Sequence, residues 1–308
     1  MPKKLGFIPI LLLIPVAIAS FVSIAVITIS SSQNITPKIV TSSPLPTLGP
    51  SPSPNPTPTP TPTPDPSPTP APSPKPSPAT SQPTSTNTSV KSYGNFSVLA
   101  FDLASTTVVT DTANDNDCSG DCPTKPLATY VAENGGRAGM NGTYFCPQDY
   151  ASCASKVNSF DFAVWNNRQK KWINSSTLFW NGRGMFVFRS GSAQFFPDQS
   201  KVGAPSDITG GIVNYPSLLA GGQAVLDEGS LSDNLKITKG TRSGIGMGGG
   251  KLFLVVATSA NMRDMVNIFQ SLGATDALNL DGGGSVALYS GGYRVGPGRS
   301  LPNAIIIK

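Results

Sequence analysis

No histidine occurs anywhere in the chain. This absence removes serine–histidine–aspartate triads, histidine general bases and histidine-ligated zinc or iron. Acid–base work must fall to Asp, Glu, Tyr, Lys or Cys. Glutamate is nearly missing too: beyond residue 91 only Glu133 and Glu228 occur, so the search for paired carboxylates is short. An excess of one charge is also lacking in the C-terminal part. Of the chain's 22 Lys/Arg, five precede residue 92, and of its 17 Asp/Glu, one does. Most of the formal charge of +5 therefore lies at the N-terminal end. The remainder is nearly neutral, with no basic stripe that would argue for nucleic acid.

Cysteine is sparse and clustered. Cys118, Cys122, Cys146 and Cys153 stand at C-x3-C and C-x6-C spacings within loop-like sequence. A zinc site more usually shows C-x2-C pairs. Downstream of an export segment, two local disulfides are the better reading, and 118–122 with 146–153 is the favoured pairing, although spacing alone does not dictate connectivity.

What the chain does have is strongly segmented. Residues 7–29 are uncharged and about long enough to cross a bilayer. Lys3 and Lys4 precede them and no basic cluster follows, so the N-terminus is expected in the cytoplasm and the rest exported. Residues 1–30 read as a transmembrane helix serving as anchor. A signal peptide cleaved after Ala19 is the rival, but the apolar run continues well past that point. Residues 31–91 form a Pro/Ser/Thr-rich linker in which every second residue from Pro52 to Pro78 is proline. Proline at that density excludes helix and sheet and favours an extended stalk of about 80 Å. Residues 92–308 remain, enough for one domain with a sizeable core.

Within this domain short apolar runs predict strands over 96–103, 106–110, 184–188, 251–258, 276–280, 285–290 and 303–308. One helix is predicted over 262–272, with Asn261 as N-cap, apolar residues at helical spacing and Gly273 as the stop. Strand, helix and strand over 251–280 read as one βαβ unit. The expected class is α+β: a strand-rich mixed sheet with few helices, in a single domain. The aromatic-rich stretch 165–180 reads as a surface loop or hairpin.

The chemistry-bearing stretch is NLDGGGSVAL, 279–288. Asp281 ends a predicted strand and Gly282, Gly283, Gly284 and Ser285 follow at once. Glycines there let backbone amides turn toward one concavity and let a ligand approach without meeting a Cβ. Such a nest suits an anionic oxygen. The tract lacks dinucleotide spacing, and a plain turn between strands is the bland alternative. In GMNGTYFCP, Asn141 and Gly142 are either a hairpin signal or a side-chain donor to sugar or phosphate. In KGTRSGIG, Thr241 and Arg242 are either the solvated start of a strand or a phosphate clamp. Glu133, upstream of Asn141, is the candidate second carboxylate. The Asp-rich stretch 110–122 is a weak calcium candidate, since it lacks a full EF-hand pattern. No cofactor is otherwise indicated.

In order, NG-x-Y-F at 141–145, GG…P-x-L…GG at 210–222, T-R-x-x-I-G at 241–246, LG-x-x-x-A-L-N-L-D-GGG-S at 272–285 and R-x-x-P-N-A at 299–304 resemble the phosphodiester glycosidase domain. This is the family of N-acetylglucosamine-1-phosphodiester α-N-acetylglucosaminidase, the mannose 6-phosphate uncovering enzyme. The resemblance implies a hydrolase that cuts the bond between sugar C1 and a phosphodiester oxygen. It also implies that Asn141, Arg242, Asp281, Gly283 and Gly284 line the site, with a phosphate-linked glycan as substrate. Asp281 would then be nucleophile or base, and Arg242 would steady the leaving phosphate. A non-catalytic glycan- or wall-binding module displayed on a stalk is the alternative. A purely structural surface protein is the third reading, and it leaves Arg242 and Asp281 unexplained.

Overall fold

The computed structural model describes residues 90–308 apart from residue 297. The anchor of residues 1–30 and the Pro-rich linker lie outside these residues. Among the described residues no helix is long and apolar enough to cross a membrane.

The domain is built from three sheets. A seven-stranded sheet runs in the order Lys91–Tyr93, Phe96–Asp102, Lys251–Ala260, Gly240–Gly248, Asp276–Asn279, Ser217–Ala220 and Gln223–Ala224. A second, five-stranded sheet runs Tyr293–Val295, Leu288–Ser290, Ala138–Asn141, Asn303–Ile307 and Val108–Thr112. The third runs Lys171–Ile173, Val164–Asn166, Gly210–Asn214, Gly184–Arg189 and Ser192–Phe196. Every ladder between named strands is antiparallel, so three antiparallel sheets replace the expected mixed one.

The βαβ unit survives inside this pattern. Gly240–Gly248 folds back on Lys251–Ala260 through Gly249 and Gly250, whose φ values of +56° and +74° suit a tight two-residue turn. That hairpin places Gly240–Gly248 between Lys251–Ala260 and Asp276–Asn279, which therefore run parallel to each other. The helix Met262–Ser271 crosses above the intervening strand. Its start is a capping box: Asp264 N–H donates to Asn261 Oδ1 at 2.9 Å and Asn261 N–H donates to Asp264 Oδ2 at 3.0 Å.

Burial on both faces explains why residues 251–258 form a continuous apolar run. Leu252, Leu254 and Val256 face the core shared by the three sheets, with Ile245, Phe186, Ile212, Met140 and Ile305. The alternate residues Phe253, Val255 and Ala257 face the helix, with Met262, Met265, Val266 and Phe269. The helix can lie this close because the strand beneath it carries Gly244 and Gly246. A Cβ at Gly246 would stand 2.7 Å from Phe269 Cδ1.

Two further expectations resolve here. The 165–180 stretch is a hairpin, Val164–Asn166 with Lys171–Ile173, and its buried Trp165 and Trp172 meet edge-on at 5.9 Å. Disulfides join Cys118 to Cys122 and Cys146 to Cys153. Cys122 N–H donates to Val157 O, just beyond the second loop, at 3.0 Å.

Gly246→Ala is expected to destabilise the domain by about 1–3 kcal/mol in urea unfolding, because the new methyl overpacks against a fully buried ring. Adding Phe269→Leu should recover part of that loss. Strict additivity of the two changes would contradict the contact.

Candidate active site

The three sheets meet where the Asp276–Asn279 strand ends. Leu280 N–H donates to Ser243 O at 2.9 Å and Asp281 N–H donates to Gly142 O at 3.0 Å, so the chain passes between the first two sheets. The Asp281 carbonyl then accepts from Asn141 Nδ2 at 2.8 Å and from Ser243 Oγ at 2.7 Å. Asn141 Nδ2 also reaches Ser243 Oγ at 3.0 Å, and Asn141 Oδ1 accepts from Ala287 N–H at 3.2 Å. One buried carboxamide thus ties down both ends of the Asp281–Ala287 loop.

This differs from the expected role of Asn141. Its side chain is fully buried and its donors and acceptor are all used internally, so in this structure it holds the loop. Gly142 is likewise a packing glycine: a Cβ there would fall on Asn303 Oδ1, which accepts from Thr143 N–H at 2.9 Å.

The tri-glycine turn has a separate reason at each position. A Cβ at Gly282 would stand 3.1 Å from Thr241 O and 3.4 Å from Arg242 Nη1. Gly283 has φ +60°. Gly284 lies against Arg299, with Nη2 2.9 Å from where a Cβ would be. Gly283–Ser285 forms a short 3-10 turn, closed by Ser285 N–H to Gly282 O and Val286 N–H to Gly283 O. At the start of this turn the amides of Gly283 and Gly284 have no intrahelical acceptor. Both residues are exposed. The turn is why the predicted strand 285–290 shortens to Leu288–Ser290.

Asp281 is half-buried, and its Oδ1 accepts from Gly282 N–H at 2.9 Å. Burial pushes its carboxyl up to about 7. The Ser285 hydroxyl, the Gly282 amide and the charge of Arg299 pull in the opposite direction, and the charge of Asp161 adds to the rise. Arg299 itself is held by Ser285 Oγ at 3.2 Å, by an ion pair to Asp149 at 2.6 Å and by the ring of Tyr150, 5.4 Å from its guanidinium carbon.

Arg242 is buried behind Gly282. Its Nε donates to Ala260 O at 3.1 Å and its Nη2 to Thr238 O at 3.0 Å and to Asn234 O. Two of its three nitrogens are therefore spent on backbone carbonyls, and the expected free fork is reduced to Nη1 beside the glycine tract. Thr241 contributes its carbonyl to the floor under Gly282. Charge from both Asp281 and Arg242 reaches Tyr144, whose phenol is raised chiefly by burial.

Asp281, Arg242, Thr241, Gly282, Gly283, Gly284 and Ser285 thus gather at one place. Glu133 does not join them. It ends the helix Leu127–Glu133, is largely exposed, and pairs with Lys125 at 2.7 Å. That helix leads into the first residue of the Ala138–Asn141 strand, opposite the end that reaches Asp281. The carboxylate that acts on Asp281 is Asp161, whose N–H donates to Tyr144 O at 2.9 Å. The signal in the sequence was a lone Asp between Phe160 and Phe162, outward in an alternating pattern. The Asp-rich stretch is also accounted for. Asp111 and Asp115 both pair with Arg168, at 2.9 and 3.2 Å. No cluster of three metal-ligating acids, cysteines or histidines occurs among the described residues.

Sequence reasoning also missed a set of buried asparagines at strand ends. Asn214 Nδ2 donates to Asn279 O at 2.7 Å, and Asn214 Oδ1 accepts from Thr143 Oγ1 at 2.7 Å. Asn279 Nδ2 donates to Tyr144 Oη at 2.6 Å and Tyr215 O at 3.0 Å. These bonds fasten all three sheets to the strand that delivers Asp281.

No curated protein sequence matches significantly. Among solved structures, a hypothetical protein from Synechocystis superposes with a TM-score of 0.52 at 15% identity, covering 71% of this chain. This chain spans 60% of that protein's length. The catalytic domain of zebrafish N-acetylglucosamine-1-phosphodiester alpha-N-acetylglucosaminidase, auto-inhibited by its pro-peptide, aligns with a TM-score of 0.49 at 15% identity over 69% of this chain and 75% of its own. The family model for phosphodiester glycosidases matches residues 134–308, a span that holds both the Asn141 staple and the Asp281 turn, and the chain belongs to the phosphodiester glycosidase family.

Proposed function

We propose that the domain hydrolyses the bond between the anomeric carbon of a sugar and an oxygen of a phosphodiester. One observation carries this reading. A half-buried carboxyl, Asp281, stands at the foot of a turn whose free glycine amides and flanking guanidiniums, Arg299 and Arg242, offer a seat for an anion. Water adds to the anomeric carbon and the C1–O bond breaks. The electron pair leaves on the phosphate, and the proton of the attacking water passes to ionised Asp281. A phosphate monoester is a good leaving group, so its departure calls for charge stabilisation more than for a proton donor. The amides of Gly283 and Gly284 and the nearby guanidiniums supply that stabilisation without reorganising. Ser285 and Arg299 keep enough of Asp281 ionised near neutrality for the base to work.

The domain is placed outside the cytoplasm, on a stalk behind an N-terminal membrane helix. The support is the uncharged run 7–29, the alternating prolines, and two disulfides that fit an oxidising compartment. The substrate is then a phosphate-linked glycan outside the membrane. A second reading, a glycan-binding module without turnover, draws on Phe179 and Trp180, which are exposed.

Two outcomes are expected. The purified domain should release free sugar from a sugar 1-phosphodiester, with kcat/KM rising as pH passes through about 7 and levelling above it, and Asp281→Asn should lose about a thousandfold. A profile that falls across the same interval would make the protonated form the active one. Tight glycan binding with no release over hours would favour the second reading. Stability should move oppositely. The folded state raises Asp281 from 3.8 to about 7, so its contribution is best below the unfolded value and is lost as pH climbs through 7. Asp281→Asn is expected to be more stable than wild type by about 1–2 kcal/mol at pH 8.5, a value discounted for residual solvent contact, and nearly equal to it at pH 4.

A further inference from the structure

A cleft of about 540 Å³ opens between the first and third sheets. Its wall shares no residue with the proposed catalytic centre and is tied to it through the strand that delivers Asp281. Tyr215, in its wall, gives its carbonyl to Asn279 Nδ2 at 3.0 Å, and the same amide nitrogen holds Tyr144 Oη at 2.6 Å. Arg183, also in its wall, lies 5.4 Å over the ring of Phe162, the neighbour of Asp161.

The chemistry of the wall is specific. Arg183 is clamped, with its guanidinium carbon 4.7 Å over the Tyr215 ring, and it forms no ion pair among the described residues. Among the described residues its side chain makes only two long hydrogen bonds of 3.4 Å, from Nη1 to the carbonyls of its own turn. Nε is buried without a partner and Nη2 makes no hydrogen bond among the described residues, so the donors of this wall residue are largely unspent. Two carboxylates, Asp198 and Asp227, stand in the same wall. One oxygen of each caps a local turn, and the Ser200 hydroxyl keeps the Asp198 carboxyl below its ordinary range. Pro216 and the exposed Val225 add apolar surface.

Lys201 pairs with Asp198 at 3.7 Å, which leaves Arg183 facing one unpaired carboxylate, Asp227, and no net positive charge to draw a second phosphate. A hydroxyl both donates and accepts, so alternating hydroxyls meet carboxylate acceptors and guanidinium donors equally well, and the apolar patch suits the C–H face of a ring. We propose that this cleft is a subsite for a neutral sugar residue next to the one being cleaved, so that the preferred substrate is an oligosaccharide or longer glycan carrying the phosphodiester. This rests on the proposed function for the reaction, but the cleft can be tested by binding alone.

The experiment has two arms on the whole described domain. In the first, kcat/KM is compared for a monosaccharide 1-phosphodiester and a trisaccharide 1-phosphodiester of the same sugar. The trisaccharide should be favoured at least tenfold. Arg183→Ala, and independently Val225→Trp, which fills the rim without removing a bond, should abolish that preference while leaving the monosaccharide substrate unchanged. In the second arm, maltotriose, mannotriose and chitotriose are titrated while the amide NMR signals of Gly182, Ser217 and Ser230 are followed. At least one should give saturable shifts in wild type that are lost in Val225→Trp. Absence of turnover on both substrates would remove the proposed reaction and leave the second arm to decide the cleft. Turnover without chain-length preference, or no shift with any of the three sugars, would overturn the subsite.

Discussion

The arrangement depends on one carboxamide. The Asn141 side chain reaches the carbonyl of Asp281 at one end of the loop, the amide of Ala287 at the other, and the hydroxyl of Ser243 in the neighbouring Gly240–Gly248 strand. The loop leaves the first sheet and must cross to the second without regular pairing, so its backbone groups need partners from side chains. Buried polar networks of this kind are worth most when fully satisfied and become a liability when one member is lost. The Asp281 carboxyl is thus positioned through its own main chain, by the buried side chains of Asn141 and Ser243.

The same loop carries a tension between stability and chemistry. Burial raises the Asp281 carboxyl to about 7, which weakens the folded state at neutral pH and, in the proposed reaction, would suit a proton acceptor. Arg299 and Ser285 limit the rise from one side and Asp161 adds to it from the other. Arg242 plays a quieter part than its position in the sequence suggests. Its bonds to Ala260, Thr238 and Asn234 fix a positive charge behind Gly282. Sites of this type are where local rules are broken for function.

Much of the fold is legible in the chain because its signals are local. The helix after residue 261 announces itself by Asn261, its apolar spacing and Gly273, and it forms over Met262–Ser271. Both disulfides close short loops, Cys118 to Cys122 and Cys146 to Cys153, the favoured pairing of neighbours downstream of an export segment. The strand pattern also emerges, although the run 251–258 does not reveal that both its faces are buried. That depends on a helix packed over Gly244 and Gly246. Legibility ends where long-range partners decide. Residues 285–290 look like one strand, but ties to Asn141 and Arg299 hold the first half in a turn. Glu133 looks like the second carboxylate by proximity to Asn141 in sequence, yet Lys125 takes it on the outside of a helix. Asp161 carries no motif, and only the pairing of its backbone with Tyr144 brings it to the site. For Asn141 the sequence shows type and place, a hairpin signal or a side-chain donor, but not its burial.

The central claim is that the sugar–oxygen bond, not the phosphorus–oxygen bond, is broken. Hydrolysis of a sugar 1-phosphodiester in water enriched with oxygen-18, followed by mass analysis of the phosphate product, tests it most directly. The account requires a phosphate monoester free of label, because water attacks carbon beside Asp281. Label in the phosphate would show attack at phosphorus and would contradict it.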